Sequence, residues 1–445
     1  MRMLVYGMGV AGAAVARAAS ARGIDVIVTD DHWDDARRRD AGALGVAIEA
    51  TPSPDRLNEL VASVDVVIPS PGVPEHHRLT EVALAAGVPL RTEIDLAYEW
   101  EQERPAGPRP MLAITGTDGK TTVTTLTAAI IDASGRRAVA CGNTDIPLVT
   151  ALDFDVDVFV VECASFRLRW LTKFRPDVGT WLNLAPDHLD WHRSFDAYAA
   201  AKARIWDYQR TRDIAVANAE DDLVMAWARR SPGRIVTFGA GGDYFERNGW
   251  LHGPSGPMLA VEELWRHLPH DRTNALAAAA TALEAGAADV ESVRSALGAF
   301  HGISHRITFV AAEDGIAFYD DSKATTPHAA LCAIRGFDHV VLLAGGRNKD
   351  LDLSPLAAEP TRMRGVVAIG EAAPEIVRVF REVCPVVVAT TMHDAVAASR
   401  RFARPGDTVL LSPACTSFDW YGGYAERGDD FARAVRRSLQ EDVMA

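Results

Sequence analysis

Leu112-Ala113-Ile114-Thr115-Gly116-Thr117-Asp118-Gly119-Lys120-Thr121-Thr122 runs from an apolar strand through a glycine-bearing loop into a helical stretch. In that order the residues predict a phosphate loop. Backbone N–H groups of such a turn converge on phosphate oxygens, Lys120 brings a cation to the β- and γ-phosphates, and Thr121 offers a hydroxyl to Mg²⁺. Gly116, Thr117, Asp118, Gly119, Lys120, Thr121 and Thr122 are therefore the candidate nucleotide-binding residues. Gly116 stands only three positions before Gly119, so the spacing departs from the usual G-x-x-x-x-G-K pattern. Strand, loop and helix in succession carry the reading where a lone Gly-Lys-Thr would not.

Outward from that loop, short Val/Ile/Leu runs alternate with Ala-rich helical stretches: LVY, DVIV, DVVIPS, DVFVVE, IAVAN, VVLLAGG, GVVAIG, PVVVA and TVLLSP. Continuous apolar runs of this length predict parallel strands buried on both faces, hence βαβ units and an α/β fold. No segment repeats at a solenoid period. Glu101-Gln102-Glu103-Arg104-Pro105-Ala106-Gly107-Pro108-Arg109-Pro110 is polar and proline-rich and reads as a linker. A less distinct seam falls near Phe300-His301-Gly302-Ile303-Ser304-His305-Arg306. Three domains of ordinary size are expected, residues 1–105, 106–299 and 300–445.

The 445 residues are 48% apolar and 24% charged, enough for a core in each domain and too apolar for extended disorder. Lys and Arg number 46 against 60 Asp and Glu, a net charge of −14. That excludes a general nucleic-acid binder, which needs clustered cations, but not a nucleotide enzyme. Cys141, Cys163, Cys332, Cys384 and Cys415 are scattered singly, as suits a reducing cytoplasm. No apolar run approaches the ~18–20 residues of a membrane span. Met1-Arg2-Met3-Leu4-Val5-Tyr6-Gly7 reads as a strand entering a turn, not as a signal peptide. A cytoplasmic protein without membrane insertion is expected.

Further polar stretches sit where strands end. Gly7-Met8-Gly9-Val10-Ala11-Gly12 follows the first strand, and Asp30-Asp31 follows the second. The spacing suits a nucleotide-type ligand, with the backbone on a diphosphate and the acid on a ribose or base; it also suits a tight turn that binds nothing. Glu162 ends a buried strand, the place where a second Mg²⁺-binding carboxylate belongs behind a phosphate loop. Asn183-Leu184-Ala185-Pro186-Asp187-His188-Leu189-Asp190-Trp191-His192 sets Asp187 and His188 where they can serve a metal or act as a base. Lys202 follows on a helix and alone would read as a surface lysine. Toward the C-terminus, His305-Arg306, Asp320-Asp321-Ser322-Lys323-Ala324-Thr325, Gly345-Gly346-Arg347-Asn348-Lys349-Asp350 and Leu411-Ser412-Pro413-Ala414-Cys415-Thr416-Ser417-Phe418-Asp419 follow apolar strands. They should project from one sheet edge, a cationic set suited to an anionic substrate and a nucleotide.

Taken together, GTDGKTT, DHLDWH, DDSKAT and LLSPACTSFD make the chain resemble the Mur ligase family of peptidoglycan precursor synthesis, over essentially its whole length, and within it the glutamate-adding members. The resemblance implies three α/β domains: Rossmann-like and UDP-binding, P-loop ATPase, and Rossmann-like and amino-acid-binding. It implies a monomer with small-molecule partners that joins glutamate to UDP-N-acetylmuramoyl-L-alanine (UDP-MurNAc-L-Ala) at the expense of ATP, through an acyl-phosphate. By the same resemblance Gly9, Val10, Asp30 and Gly72 should meet the UDP group, and Asn143 the muramoyl moiety. Asn274, Arg306 and Asp321 should join the loop in contacting ATP. Thr121, Glu162 and His188 should serve two Mg²⁺ sites, and Lys202 matches the lysine that the family carbamylates into a metal-orienting anion. Lys323, Thr325, Lys349, Ser417 and Tyr424 fall where the acyl-phosphate and glutamate are held. Lys120, His188, Lys202 and Lys323 are the expected catalytic residues.

Departures from the family pattern cluster near the acceptor and glutamate sites. Ala164-Ser165-Phe166-Arg167-Leu168 stands for S-S-F-Q-L, with Ser165 and Arg167 candidate substrate contacts. Gly142-Asn143-Thr144-Asp145 stands for G-N-I-G, Ser322-Lys323-Ala324-Thr325-Thr326 for S-K-A-T-N, and His270-Asp271-Arg272-Thr273-Asn274 for H-N-x-x-N. They tilt the sequence reading slightly toward a less common branch that adds L-glutamate instead of D-glutamate. Two rivals stand beside it. Another Mur-type or polyglutamate-adding ligase would depart in the first or last domain. A non-catalytic nucleotide-binding regulator would have degraded metal and phosphate residues, yet Lys120, Thr121, Glu162 and His188 are all present.

Overall fold

The computed structural model describes residues 1–443. A four-stranded parallel sheet comes first, ordered Ala47–Ile48, Asp25–Thr29, Arg2–Tyr6, Val66–Pro69. A six-stranded sheet, parallel throughout, follows in the order Arg234–Phe238, Ile214–Asn218, Val178–Trp181, Met111–Thr115, Val158–Glu162, Ala138–Gly142. Phe245–Arg247, Trp250–Gly253 and Gly256–Ala260 form a small antiparallel sheet. The last six-stranded sheet runs Thr308–Glu313, Ile316–Asp320, Thr408–Ala414, Val340–Gly345, Met363–Ile369, Val386–Val388, parallel except for its first hairpin. The α/β class and the parallel sheets are those read from the sequence. Every residue of Met111–Thr115 and of Val340–Gly345 is buried, as helices on both faces require. Each buried Val, Leu or Ile side chain contributes about 1.5–3 kcal/mol toward the cost of ordering the chain.

The chain forms two compact units. One comprises Met1–Leu184, Asp190–His267 and Asp271–Phe300; the other comprises Ala185–Leu189, Leu268–His270 and the described residues from His301 onward.

Within the first unit, carboxylates of helix Glu93–Gln102 fasten the first sheet's region to the central one. Asp95 accepts from the backbone N–H of Thr172 (3.1 Å), Lys173 (2.8 Å) and Phe174 (2.8 Å), and from Arg91 Nε (2.9 Å). Burial alone would raise its pKa, but the Thr172 hydroxyl, the backbone donors and the Arg91 charge together pull it below the usual carboxylate value. The proline-rich stretch expected as a linker is also tied down. Arg109 donates to Glu101 and to the carbonyls of Leu152 and Phe154 (2.8 Å each), with its guanidinium on the Phe159 ring.

Candidate functional site

The turn at 116–122 leaves the C-terminal end of Met111–Thr115 and opens helix Lys120–Ala133. Gly119 has φ +84°, and a Cβ there would lie 2.7 Å from Asn274 Oδ1, so only glycine fits. Asn274, on helix Pro269–Glu284, thus stands against the loop. The loop is held from behind by Asn183, whose Oδ1 accepts from Thr117 N (3.0 Å) and Asp118 N (2.9 Å) and whose Nδ2 donates to Asp118 O (3.1 Å). Thr117 Oγ1 and the Tyr198 hydroxyl share a hydrogen bond at 3.0 Å. Two lysine amines meet on one carbonyl: Lys120 Nζ donates to Gly116 O (2.9 Å) and Thr117 O (2.7 Å), and Lys202 Nζ donates to Gly116 O (2.6 Å). Lys202 is 1% exposed and lies over the Tyr198 ring. Its place is the opposite of the surface lysine that composition alone suggests. Sequence reading missed Asn183 and Tyr198 as supports; Asn183 heads the Asp-His stretch and Tyr198 sits one helical turn before Lys202, the one signal that could have found them.

Glu162 closes its strand beside Ile114 and is 3% exposed. Asn143 Nδ2 donates to its Oε1 (3.1 Å), while Oε2 is buried with no hydrogen-bond partner. A buried carboxylate oxygen left open in this way fits a divalent cation. Among the described residues no group of three or more His, Cys, Asp or Glu side chains is placed to hold a metal. Ser165 is 1% exposed, and its Oγ lies 2.8 Å from His192 Nε2. Burial lowers the His192 pKa to about 4, against the pull of Glu75, so the imidazole is neutral near pH 7.

Beside the first sheet lies a cavity of about 410 Å³, lined by Gly7, Gly9, Val10, Asp30, Gly72 and Arg167 among others. Gly9 caps helix Val10–Ala21, and no neighbour lies within 4 Å of where a Cβ at Gly9 or Gly72 would stand. Asp30 is less free than its position implies. Its Oδ2 accepts from Met8 N (2.6 Å) and its Oδ1 from His32 N (2.9 Å) and Arg37 Nη1 (3.3 Å).

In the second unit, the loops following Ile316–Asp320, Val340–Gly345 and Thr408–Ala414 leave parallel strands at one edge, as expected, but His305-Arg306 does not follow a strand: it comes after helix Val290–Ala299 and leads into the strand Thr308–Glu313. Arg306 Nη1 is 3.9 Å from Asp321 Oδ1, and Asp321 Oδ2 accepts from Ser412 Oγ (2.7 Å). Lys323 Nζ donates to the Tyr424 hydroxyl (3.1 Å), and Thr325 completes the same turn. Lys349 Nζ donates to Asp187 Oδ1 (2.5 Å), next to His188 at φ +53°. Ser417 is buried, its carbonyl accepting from Trp420 N and Tyr421 N. Arg427, 1% exposed, was not singled out from the sequence. It donates to Ser322 Oγ and O and to the carbonyls of Cys415 and Thr416, pinning two of these loops.

A glycine turn entering a helix from a parallel sheet, a buried acid with one unpartnered oxygen and a polar edge on a second parallel sheet agree with what family comparison finds. The Mur ligase middle domain matches residues 114–267, and the Mur ligase, glutamate ligase domain matches residues 305–415. The chain belongs to the Mur ligase family. UDP-N-acetylmuramoylalanine--D-glutamate ligase of Frankia casuarinae is 40% identical to it over 98% of this chain and 93% of that protein. The ligase of the same name from Syntrophus aciditrophicus is 37% identical over 98% and 97%. Among solved structures, MurF from Acinetobacter baumannii aligns with TM-score 0.62 at 18% identity, covering 97% of this chain and 90% of that one. MurC, the UDP-N-acetylmuramate-alanine ligase of Thermotoga maritima, aligns at 0.59 and 21%, covering 98% and 100%. These two share the fold.

Proposed function

We propose that the protein is an ATP-dependent ligase that joins D-glutamate to UDP-MurNAc-L-Ala, in the cytoplasm and as a monomer, in peptidoglycan precursor synthesis. The observation that carries the reading is the Gly116 carbonyl, on which two lysine amines converge inside a glycine turn at a parallel sheet's edge. The names of relatives that match over nearly the whole chain supply the substrates. All five cysteines are free thiols, in keeping with a reducing compartment.

In this reading Lys120 turns from its own loop carbonyls to the β- and γ-phosphates, and Asn274, Arg306 and Asp321 hold the rest of ATP. An oxygen of the acceptor carboxylate attacks the γ-phosphorus, the bond to ADP breaks, and an acyl-phosphate forms. The glutamate amine then attacks the acyl carbon; inorganic phosphate leaves with the carboxylate oxygen, and the amine gives up a proton. Mg²⁺, when bound, would neutralise charge on the transferring phosphoryl. Thr121 Oγ1, Glu162 Oε2 and His188 are its proposed ligands. We take Lys202 to act as a carbamate, formed by adding CO₂ to the neutral amine with loss of a proton. Its nitrogen keeps one N–H for the Gly116 carbonyl while the new anion orients the cation. Ser165 and Asn143 position the acceptor, Lys323 and Thr325 the acyl-phosphate, and Lys349, Ser417 and Tyr424 the glutamate. The protein contributes positioning and electrostatics.

D-glutamate is chosen over the L-enantiomer that the departures suggested, because the relatives that match over nearly the whole chain are named for D-glutamate and two of the departures, Arg167 and Thr326, have partners of their own. Arg167 pairs with Glu93 (2.6 Å), and Thr326 caps helix Pro327–Arg335 by accepting from Ala329 N (3.1 Å), a role worth about 1 kcal/mol. Neither needs a changed glutamate to explain it. Parallel turnover assays with each enantiomer test the choice. Turnover with D-glutamate alone is expected; turnover with L-glutamate alone would overturn the choice and leave the ligase reading standing.

A further inference from the structure

Arg167 is the cation that this chain places where the family pattern has a neutral amide. It is 6% exposed and stands between a carboxylate and an amide. On one side Nη1 donates to Glu93 Oε2 (2.6 Å), while Glu93 Oε1 accepts from Val149 N (2.8 Å). On the other side Nε donates to Asn143 Oδ1 (3.3 Å), and Asn143 Nδ2 donates to Glu162 Oε1 (3.1 Å). The backbone closes the same pair, Asn143 N donating to Glu162 O (2.8 Å). All four residues belong to the first unit.

The two ends of an amide have nearly the same shape, so its orientation is set by what its neighbours can donate or accept. Here one orientation satisfies both. A guanidinium has no acceptor and must meet an oxygen, whereas an ionised carboxylate has no donor and must meet an N–H. Turning the amide over would set Nδ2 against Arg167 Nε and Oδ1 against Glu162 Oε1. Glu93 thus holds the guanidinium, the guanidinium holds the amide, and the amide engages one oxygen of Glu162. The other, Oε2, is left buried and without a hydrogen-bond partner.

We propose that Arg167 is a positioning residue for divalent-cation binding: through Asn143 it fixes Glu162 so that Oε2 is the oxygen presented to the metal. This rests on the reading of Glu162 as a cation ligand. Hydrogen-bonded supports orient metal ligands, and losing one typically costs roughly 10–100-fold in affinity or activity. The charge on Arg167 by itself would repel a cation, but the Glu93 carboxylate paired with it offsets that charge. Orientation is gained without the repulsion.

The test is Mn²⁺ titration of the full chain, with the free ion followed by its paramagnetic resonance signal. Arg167→Ala would leave the Glu93 carboxylate buried and unpaired, so two milder variants are used. Arg167→Lys keeps a cation for Glu93 but has no nitrogen at the Nε position. Glu93→Gln/Arg167→Met removes both charges together with the Nε donor, which separates orientation from electrostatics. Both should bind Mn²⁺ about 10-fold more weakly than wild type, and neither should weaken binding further when added to Glu162→Gln. Wild-type affinity in either variant, or a further loss in the Glu162→Gln background, would overturn the positioning role. Mn²⁺ binding that Glu162→Gln leaves unchanged would overturn the cation-ligand reading itself, which separates the two failures.

Discussion

Two glycine turns of similar outline leave two parallel sheets, one after Arg2–Tyr6 and one after Met111–Thr115, and they are built for different work. In the first, the glycines serve close packing. A Cβ on Gly12 would come within 1.9 Å of the Gly7 carbonyl oxygen, and Ser70 Oγ caps that same carbonyl. The turn itself brings no cation; Arg167, from the central region, lines the cavity beside it. In the second, the backbone is fixed from behind by Asn183 and lined from within by Lys120 and Lys202. A glycine turn supplies a shape. Whether it binds or transfers a phosphate depends on which charges the rest of the chain delivers to it.

The largest expected effect comes from removing the charge that separates the two turns. Lys120→Ala should lower turnover by about 1,000-fold, roughly 4 kcal/mol of transition-state stabilisation. Its thermal midpoint should not move, because the lysine bonds only to its own loop. Activity above a tenth of wild type would erase the distinction. Next comes the packing role of the first turn. Gly12→Ala should cost about 3 kcal/mol in chemical denaturation, since the new methyl meets backbone. Gly9→Ala, with open space around it, should cost well under 1 kcal/mol. Equal costs would show that the glycines do not serve packing.

The smallest effect lies where the two regions are strapped together. Glu75, beyond the first sheet's last strand, accepts from Arg169 (2.9 Å) and faces His192 Nδ1 at 3.5 Å, while its N–H bonds the Trp191 carbonyl. Burial first, and the charges of Lys202 and Arg169 after it, depress the His192 pKa from 6.5 to about 4, with Glu75 opposing them. Between those values the unfolded chain binds a proton that the native state refuses. Stability is therefore present above pH 6.5 and is lost as pH falls toward 4. Denaturation midpoints across that window should slope less in His192→Gln than in wild type; identical slopes would remove His192 as the cause.

The strand, glycine turn and helix around Gly116–Thr122 were legible because their signal is local, eleven consecutive residues. Glu162 was legible for a related reason, since a strand's end is readable from its apolar run. Long-range partners were not. Glu93 lies 74 residues from Arg167, so a cation with a buried structural partner looked like a change of substrate. Arg427 sits in a helix rich in Arg, Asp and Glu, where the charge pattern signals a solvated face, yet backbone carbonyls from two loops enclose it. Asp95 begins a helix and reads as a carboxylate on its dipole, but its larger task is capping the turn at 172–174. Asp30 matched the expected spacing for a ligand-binding acid and lines the cavity, but its hydrogen bonds from Met8 N and His32 N could not be read from the sequence.

The central claim is that the chain drives amide formation by transferring the γ-phosphoryl of ATP to the acceptor carboxylate. Isotope transfer tests it most directly. UDP-MurNAc-L-Ala labelled with ¹⁸O in the alanyl carboxylate is incubated with ATP, Mg²⁺, D-glutamate and enzyme, and the released phosphate is analysed by mass spectrometry. The account predicts one ¹⁸O in each phosphate formed, and no phosphate when the acceptor is omitted. Unlabelled phosphate, or release that ignores the acceptor, would contradict it.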